Sequence, residues 1–414
     1  VALLDAAFTA TSAVCVTGLT VVDTGSRFTP AGQAVVLALI QAGGLGLMTF
    51  AVFAGIVLGR KIAFTDRMLI QETLHHSAAP GVRRLVKHIL FFTLATEVVG
   101  AFLLFLRFFP QMAAGDALWQ GLFHAVSAFC NAGFSLFPDN LVRFRGDVVV
   151  NVVVTGLVIV GGIGFLVVME VEDTLRAKLG GRRSRLSLHA RLALVVTGLL
   201  LGVGMALFLT LEWGNLLRGM PLREKLLAAW FQAVVPRTAG FNTVDFGHAS
   251  TDTLLLTIFL MFVGASPGST GGGIKTTTLG LLGALLVARW RGEGRATLFH
   301  RTIPHAVMDR ALALAMIAWV LTTAATFALV LVETHGVPFG KAGPDLAEAL
   351  FEVVSAFGTV GLSTGITPHL SAPGKVILMA VMFAGRVGPL TLVMAVGPRK
   401  VGRFRHAEEN VMVG

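Results

Sequence analysis

Residues 355–365 read SAFGTVGLSTG. They follow an apolar run, AEALFEVVSAF, and precede a longer one, VILMAVMFAGRVGPLTLVMAV. A loop joining two membrane helices is ordinarily polar and reaches water. This one is small, uncharged and built on glycine. Backbone that leaves helical geometry at membrane depth has to satisfy its polar groups or line a cavity. The bare carbonyls of Thr359, Val360, Gly361 and Leu362 therefore need partners the segment itself does not supply.

The rest of the chain identifies the bilayer as its solvent. Of 414 residues, 55% are hydrophobic and 14% charged, against about 25% charged in soluble domains, and the mean hydropathy is +0.79. Runs long enough to cross a bilayer, roughly 20 residues, lie near 32–59, 85–108, 148–169, 189–212, 253–288, 306–333 and 374–397. Four further apolar segments, near 3–16, 117–130, 223–236 and 345–358, are too short to span and too apolar for exposed loops. They read as re-entrant half-helices. The net charge of +10 is concentrated: the stretches 60–88, 170–191, 289–310 and 399–405 hold 21 of the 33 Lys and Arg. Each flanks apolar spans, so the positive-inside rule puts all four in the cytoplasm. There they can also meet lipid head groups or an acidic cytosolic partner; a nucleic-acid partner is not expected. Cys15 and Cys130 lie in apolar surroundings and are expected as buried free thiols.

The short segments repeat. Each ends in a glycine followed by a large apolar residue: VTGL at 16–19, NAGF at 131–134, TAGF at 238–241 and TVGL at 359–362. Three copies share Phe ten residues before the glycine and Ser-Ala six and five before it: Phe8/Ser12/Ala13, Phe123/Ser127/Ala128 and Phe351/Ser355/Ala356. The third, FQAVVPRTAGF, keeps Phe231 but is one residue shorter. The unit is span, half-helix, glycine strand, span. The expected fold is an all-α polytopic membrane protein with four pseudo-repeated M1–P–M2 units around a single pore, at 1–60, 61–170, 171–300 and 301–414, the last with a C-terminal tail. The opening VALLDAAFTATSAVCVTGL already lies inside a unit, and the first M1 helix is expected to precede it. With the basic stretches between units, every half-helix enters from the outer side.

Four such units make a ring of strands. Glycine reaches φ > 0 without steric cost, and a ring of carbonyls can replace the hydration shell of a cation. The half-helix C-termini add partial negative charge. The ion-binding candidates are Val16, Thr17 and Gly18; Asn131, Ala132 and Gly133; Thr238, Ala239 and Gly240; and Thr359, Val360 and Gly361. No acidic side chain occurs among them. In the alternative, four tight turns use glycine only for close helix packing; four copies at matched spacing favour the pore. Asp23, Asp139 and Asp245, just beyond three of the glycines, either concentrate cations or cap the loops.

The span at 253–288 is interrupted by GASPGSTGGGIKTTT, residues 264–278. So many glycines and a proline do not hold a continuous helix, and broken helices at membrane depth line cavities. The break is expected below the strands as a gate, with Gly264, Gly268, Gly271, Gly272, Gly273 and Lys275 its principal residues; a passive kink is the alternative. It is not a phosphate-binding loop, because Ile274 separates Gly273 from Lys275 where that motif needs Gly-Lys directly. Arg386, in MFAGRVGPL, is an intramembrane cation of the kind that marks function, expected as a positive barrier below the ring. Arg237, beside TAGF, is expected to brace the third strand through backbone carbonyls. His75 and His76 lack metal-ligand spacing, and no nucleophile–base pair or metal set points to an enzyme.

In combination, the four degenerate strands, the glycine-rich broken helix and FAGRVGPLT resemble the Trk/Ktr/HKT superfamily of cation transporters. Within it, DNLVRF after NAGFSLFP, QAGGLGLMTFAVF and SAFGTVGLSTGITP look like the bacterial KtrB potassium uptake subunits. The resemblance covers essentially the whole chain. It implies K⁺ import, with Na⁺ influencing or accompanying it, in a bacterial plasma membrane. It also implies a homodimer with one pore per protomer, seated on an octameric cytosolic KtrA ring that binds ATP or ADP, ATP favouring activity. The family's filter glycines fall on Gly18, Gly133, Gly240 and Gly361, its gating loop on 264–278 and its pore arginine on Arg386. GSTGGGIK is richer in glycine than the gating loops of relatives, which implies a softer loop and higher basal leak. Gly18 stands where some Na⁺-permeable plant relatives have serine, which favours K⁺. Leu19, Phe134, Phe241 and Leu362 stand where tetrameric potassium channels carry Tyr, which implies fewer binding sites and weaker selectivity. An ion-coupled symporter with alternating access would instead show inverted repeats, whereas these repeats all run in one direction.

Overall fold

The computed structural model describes residues 1–46, 82–182, 184–334 and 345–388. The later parts of the runs at 32–59 and 374–397, His75 and His76, most of 60–88, and 399–405 lie outside the described residues. The chain is mainly helical: α1 (Leu3–Val14), α2 (Pro30–Gly44), α3 (Val82–Phe108), α4 (Ala114–Phe129), α5 (Val148–Ile163), α6 (Phe165–Leu179), α7 (Leu188–Leu211), α8 (Leu222–Val234), α9 (Thr251–Phe262), α10 (Thr276–Trp290), α11 (His305–Thr334), α12 (Leu346–Gly358) and α13 (Ala372–Val387). A small antiparallel hairpin, β1 (Thr297–Leu298) with β2 (Arg301–Thr302), separates α10 from α11.

Helix starts follow local chemistry. Thr29, Asp147, Ser187, Ser250 and Ser371 each accept a first-turn N–H, at α2, α5, α7, α9 and α13, which satisfies donors the helix leaves free. Two of these caps are clasped by an acid from the preceding long helix: Glu212 accepts from Ser250 N and Oγ at 2.9 and 2.8 Å, and Glu333 from Ser371 N and Oγ at 3.0 and 2.7 Å.

Three uninterrupted helical stretches among the described residues are long and apolar enough to cross a membrane: Val86–Phe108, Leu188–Leu211 and His305–Thr334. The run read as one span at 148–169 is instead broken. α5 and α6 meet at 99°, because Gly164 takes φ 100 and Phe165 N–H bonds the Gly268 carbonyl at 2.9 Å instead of continuing the helix ladder. The split between α9 and α10 falls where the glycine-rich stretch leads one to expect it.

The four short helices, α1, α4, α8 and α12, sit in the middle of the molecule. Each is packed against by a helix from the neighbouring sequence repeat: α2 on α4, α5 on α8, α9 on α12, and, closing the circle, α13 on α1. The motif residues face inward. Phe8, Phe123, Phe231 and Phe351 are wholly buried, as are Leu19, Phe134 and Phe241, with Leu362 nearly so. Cys15 and Cys130 are free and buried.

Candidate functional site

The four glycine segments share one backbone conformation. φ is positive at each glycine (Gly18 92, Gly133 69, Gly240 68, Gly361 92) and again two residues earlier (Val16 56, Asn131 57, Thr238 77, Thr359 51). This alternation abolishes the opposite-facing carbonyls of an extended strand. A left-handed non-glycine residue costs roughly 1–2 kcal/mol, so four cost about 4–8 kcal/mol. Such strain persists where the surroundings over-determine it, typically at functional sites.

The strands close on one another in sequence. A Cβ on Gly18 would stand 2.4 Å from the Ala132 carbonyl oxygen, and one on Gly133 2.7 Å from that of Ala239. A Cβ on Gly240 would stand 2.4 Å from the Val360 oxygen, and one on Gly361 2.1 Å from that of Thr17. Thr17 and Gly18, Ala132 and Gly133, Ala239 and Gly240, and Val360 and Gly361 therefore come together, and the glycines are required by backbone packed against backbone. Backbone packed this tightly leaves no room for side chains at the four glycines.

The half-helices hold the strands. The N–H groups of Thr17, Ala132 and Val360 donate to the carbonyls of Ser12, Ser127 and Ser355 at 2.8, 2.7 and 2.8 Å. The same serines use their hydroxyls on the strand: Gly18 N–H donates to Ser12 Oγ at 3.0 Å, Gly361 N–H to Ser355 Oγ at 3.1 Å, and Ser127 Oγ to the Phe134 carbonyl at 2.8 Å. In the third copy, one residue shorter, Ala239 N–H reaches Val235 O at 3.0 Å. Arg237 does not brace that strand as expected. Its guanidinium points outward to α7 and donates to Thr197 Oγ1 at 3.1 Å.

The broken-helix loop lies against one side of the ring. Its neck is closed by a parallel bridge between Val263 and Ile274, where a Cβ on Gly264 would meet Gly272 O at 2.1 Å. At its apex, Cβ atoms on Gly271 and Gly272 would lie 2.1 and 2.5 Å from the hydroxyls of Thr238 and Thr359, and Gly272 N–H donates to Thr359 Oγ1 at 3.0 Å. Gly273 abuts the Gly358 Cα, 3.3 Å from where its Cβ would be. Gly268 stands apart, with open space around it and its carbonyl bound by Phe165 N–H. The loop is also fixed to the α5–α6 elbow: Ser266 and Thr270 N–H donate to Gly162 and Gly161 carbonyls at 2.9 and 3.2 Å.

Both predicted cations are engaged with this loop. Lys275 Nζ donates to the carbonyls of Gly271 and Gly272 at 2.7 and 3.4 Å. Arg386 donates to Thr270 O on one side and to Gly43 O, at the end of α2, on the other. It is a clamp across the break as well as a positive charge. Of the three outer acids, Asp23 and Asp245 accept backbone N–H groups as caps, and Asp139 pairs with Arg143 at 2.7 Å.

Sequence reasoning missed a second series of glycines. Gly43-Gly44-Leu45-Gly46, Gly161-Gly162-Ile163-Gly164, Gly272-Gly273-Ile274-Lys275 and Gly385-Arg386-Val387-Gly388 all stand at helix breaks or ends. Cβ atoms on Gly43, Gly161 and Gly385 would come within 2.1, 1.9 and 1.9 Å of the carbonyl oxygens of Val14, Phe129 and Phe357, at the ends of α1, α4 and α12. The recurrent GG[LI]G spelling was the available signal. Glu97 was also missed: it lies inside the apolar run of α3, is 3% exposed, and accepts from Gln41 Nε2 at 3.3 Å.

Residues 1–399 match the family described as TrkH, cation transport protein. The chain belongs to the TrkH family. The Ktr system potassium uptake protein B of Bacillus subtilis is 43% identical over 413 residues, covering 99% of this chain and 89% of that relative. The potassium/sodium uptake protein NtpJ of Enterococcus hirae is 40% identical, over 99% of this chain and 90% of its own. Among solved structures, the potassium transporter TrkH from Vibrio parahaemolyticus superposes with a TM-score of 0.74 over 96% of this chain and 79% of that one. At 20% identity that likeness shows the fold alone. As a TrkH-family chain with spanning apolar helices, the protein is a multi-pass membrane transporter and not an enzyme.

Proposed function

We propose that the chain is the membrane subunit of a Ktr-type K⁺ uptake system, conducting K⁺ through a filter made by the backbone carbonyls of the four glycine strands. The observation that carries this reading is the cyclic contact of Gly18, Gly133, Gly240 and Gly361, each with its missing Cβ aimed at the next strand's backbone. Carbonyl dipoles in a ring exchange for a cation's hydration shell. The membrane potential supplies about 2.3 kcal/mol per charge per 100 mV, so uptake needs no chemistry on this chain. The names of the similar B. subtilis and E. hirae proteins support potassium as cargo, and the second also supports sodium.

The four strands belong to four M1–P–M2 units around one pore, with 264–278 as the gate in its path. The gate's contacts with Thr238 and Thr359, and its tether to Arg386, support this role. A cytosolic nucleotide-binding subunit moves the loop by pulling on the helices that leave the breaks. The protein works as a homodimer in a bacterial inner membrane.

The test is ⁸⁶Rb⁺ uptake into liposomes carrying the purified protein, with K⁺ or Na⁺ as competitor, for wild type and Gly361→Ser. Serine there would place its Cβ against Thr17 O at a φ of 92. Wild-type uptake blocked far better by K⁺ than by Na⁺, with that preference lost in a variant that remains monodisperse, is the expected result. Uptake indifferent to both competitor and substitution would return the glycines to packing.

A further inference from the structure

One turn of the four half-helices carries a polar residue at equivalent positions: Thr9, His124 and Glu352 lie nine residues before their glycines, and Gln232, in the shortened copy, eight before. All four are at most 1% exposed. Three of them reach the outer continuation of their own strand. His124 Nε2 lies 2.9 Å from Ser135 Oγ, and Gln232 Nε2 donates to Thr243 Oγ1 at 3.3 Å. Glu352 Oε1 accepts from Ser363 Oγ at 2.5 Å and Thr364 N–H at 3.0 Å, and its Oε2 accepts from Thr367 Oγ1 at 2.6 Å. Thr9 turns back on its own helix, donating to Asp5 O at 2.8 Å.

Glu352 is the carboxylate of the set, and four hydroxyl or amide groups of Ser363, Thr364 and Thr367, in the segment that follows strand four, donate to it. No ion pair among the described residues includes it. The groups facing the carboxylate can all donate to it, which suits its ionised form, and burying that form without a countercharge costs free energy that a nearby cation would offset. The residues that bind it lie two to six positions after Gly361, so its hydrogen bonds go to the segment that continues strand four. We propose that Glu352 is a positioning and specificity-determining residue whose carboxylate serves as the fixed countercharge of the permeating cation at the outer end of the ring. This rests on the K⁺-filter reading above. It makes the ring electrically lopsided: backbone dipoles act from all four strands, a full charge from behind one.

The experiment compares the half-saturating Rb⁺ concentration for uptake in wild type, Glu352→Gln and Gln232→Glu. Glutamine keeps the size of the side chain and can still accept from Ser363 and Thr364, so a purely bracing role survives it. We expect Glu352→Gln to raise half-saturation about tenfold and to weaken the preference for K⁺ over Na⁺, with the melting temperature in detergent unchanged. Gln232→Glu adds a carboxylate at the equivalent turn behind strand three and is expected to lower half-saturation several-fold. It also serves as the deciding measurement if Glu352→Gln does not fold. Unchanged half-saturation in Glu352→Gln, or in Gln232→Glu when the first variant is unfolded, overturns the proposal while leaving the filter intact. Wild-type uptake that K⁺ does not compete for sinks the filter reading itself.

Discussion

Four strands repeat one conformation; beside them, four helix breaks spell nearly the same motif and end up doing different things. In the strands, the same two positions are left-handed in every copy and every glycine faces a neighbour's backbone. In the breaks, Gly46, Gly164 and Gly388 take φ of 81, 100 and 93, but the fourth equivalent is Lys275, with φ −74, and the positive φ moves to Gly273. Where the other breaks have a second glycine, the last has Arg386. The two cations therefore sit at the two places where the glycine series fails, and both bind carbonyls of the same loop. Under the proposed reading, a filter gains from four equivalent walls. Under the same reading, the proposed gate requires one wall that differs, because a loop held equally on all sides has no direction in which to open.

The sharpest way to break this comparison is to damage one strand. Gly133→Ala sets a methyl 2.7 Å from Ala239 O and 2.8 Å from Gly240 Cα. The preference of K⁺ over Na⁺ as competitor of ⁸⁶Rb⁺ uptake should fall more than tenfold, as for Gly361→Ser, despite the different strand. A strand-specific result would mean that the ring is not equivalent after all.

Next comes the loop. Gly272→Ala puts a methyl 2.5 Å from Thr359 Oγ1 and should push the loop off the ring, raising uptake in the absence of any cytosolic partner several-fold while leaving the competitor preference intact. Gly268→Ala is its control. With open space around it, it pays only the left-handed penalty of roughly 1–2 kcal/mol, and its basal uptake should match wild type. Equal leak from both variants would undo the assignment of the apex as the part that meets the strands.

Arg386→Lys should produce a smaller rise in basal uptake, two- to three-fold. An ammonium keeps the charge but lacks the planar fork that spans two carbonyls on different helices, here Thr270 O and Gly43 O. If lysine behaves as wild type, the charge matters and the clamp does not. The smallest effect belongs to Ser12→Ala, which leaves Gly18 N–H without its 3.0 Å partner. An orphaned buried donor costs about 1–3 kcal/mol, read as a lower melting temperature in detergent with competitor preference nearly unchanged.

Much of the site could be read along the chain. The four glycines, the buried Phe ahead of each, the short helices and the interruption between α9 and α10 are local patterns, set by what glycine allows and by the length a span needs. The left-handed Val16, Asn131, Thr238 and Thr359 could not be read, since such residues ordinarily avoid that conformation. They adopt it because half-helix hydrogen bonds on one side and neighbouring strands on the other leave no alternative. Nor could the right-angle turn at Gly164, in a run apolar enough to pass for a plain span.

By itself the sequence determined that this chain lives in a bilayer, that it carries four glycine strands each led by a short helix, and that one span is broken. Those follow from composition, spacing and the conformational range of single residues. Tertiary structure alone decided that each strand closes on the next, that the loop rests on strands three and four, that Arg386 joins residues 116 and 343 positions away, and that buried Glu352 is bound by Ser363, Thr364 and Thr367. These are contacts between distant segments, and a pattern of neighbours along the chain carries no term for which distant carbonyl a buried guanidinium or carboxylate will meet.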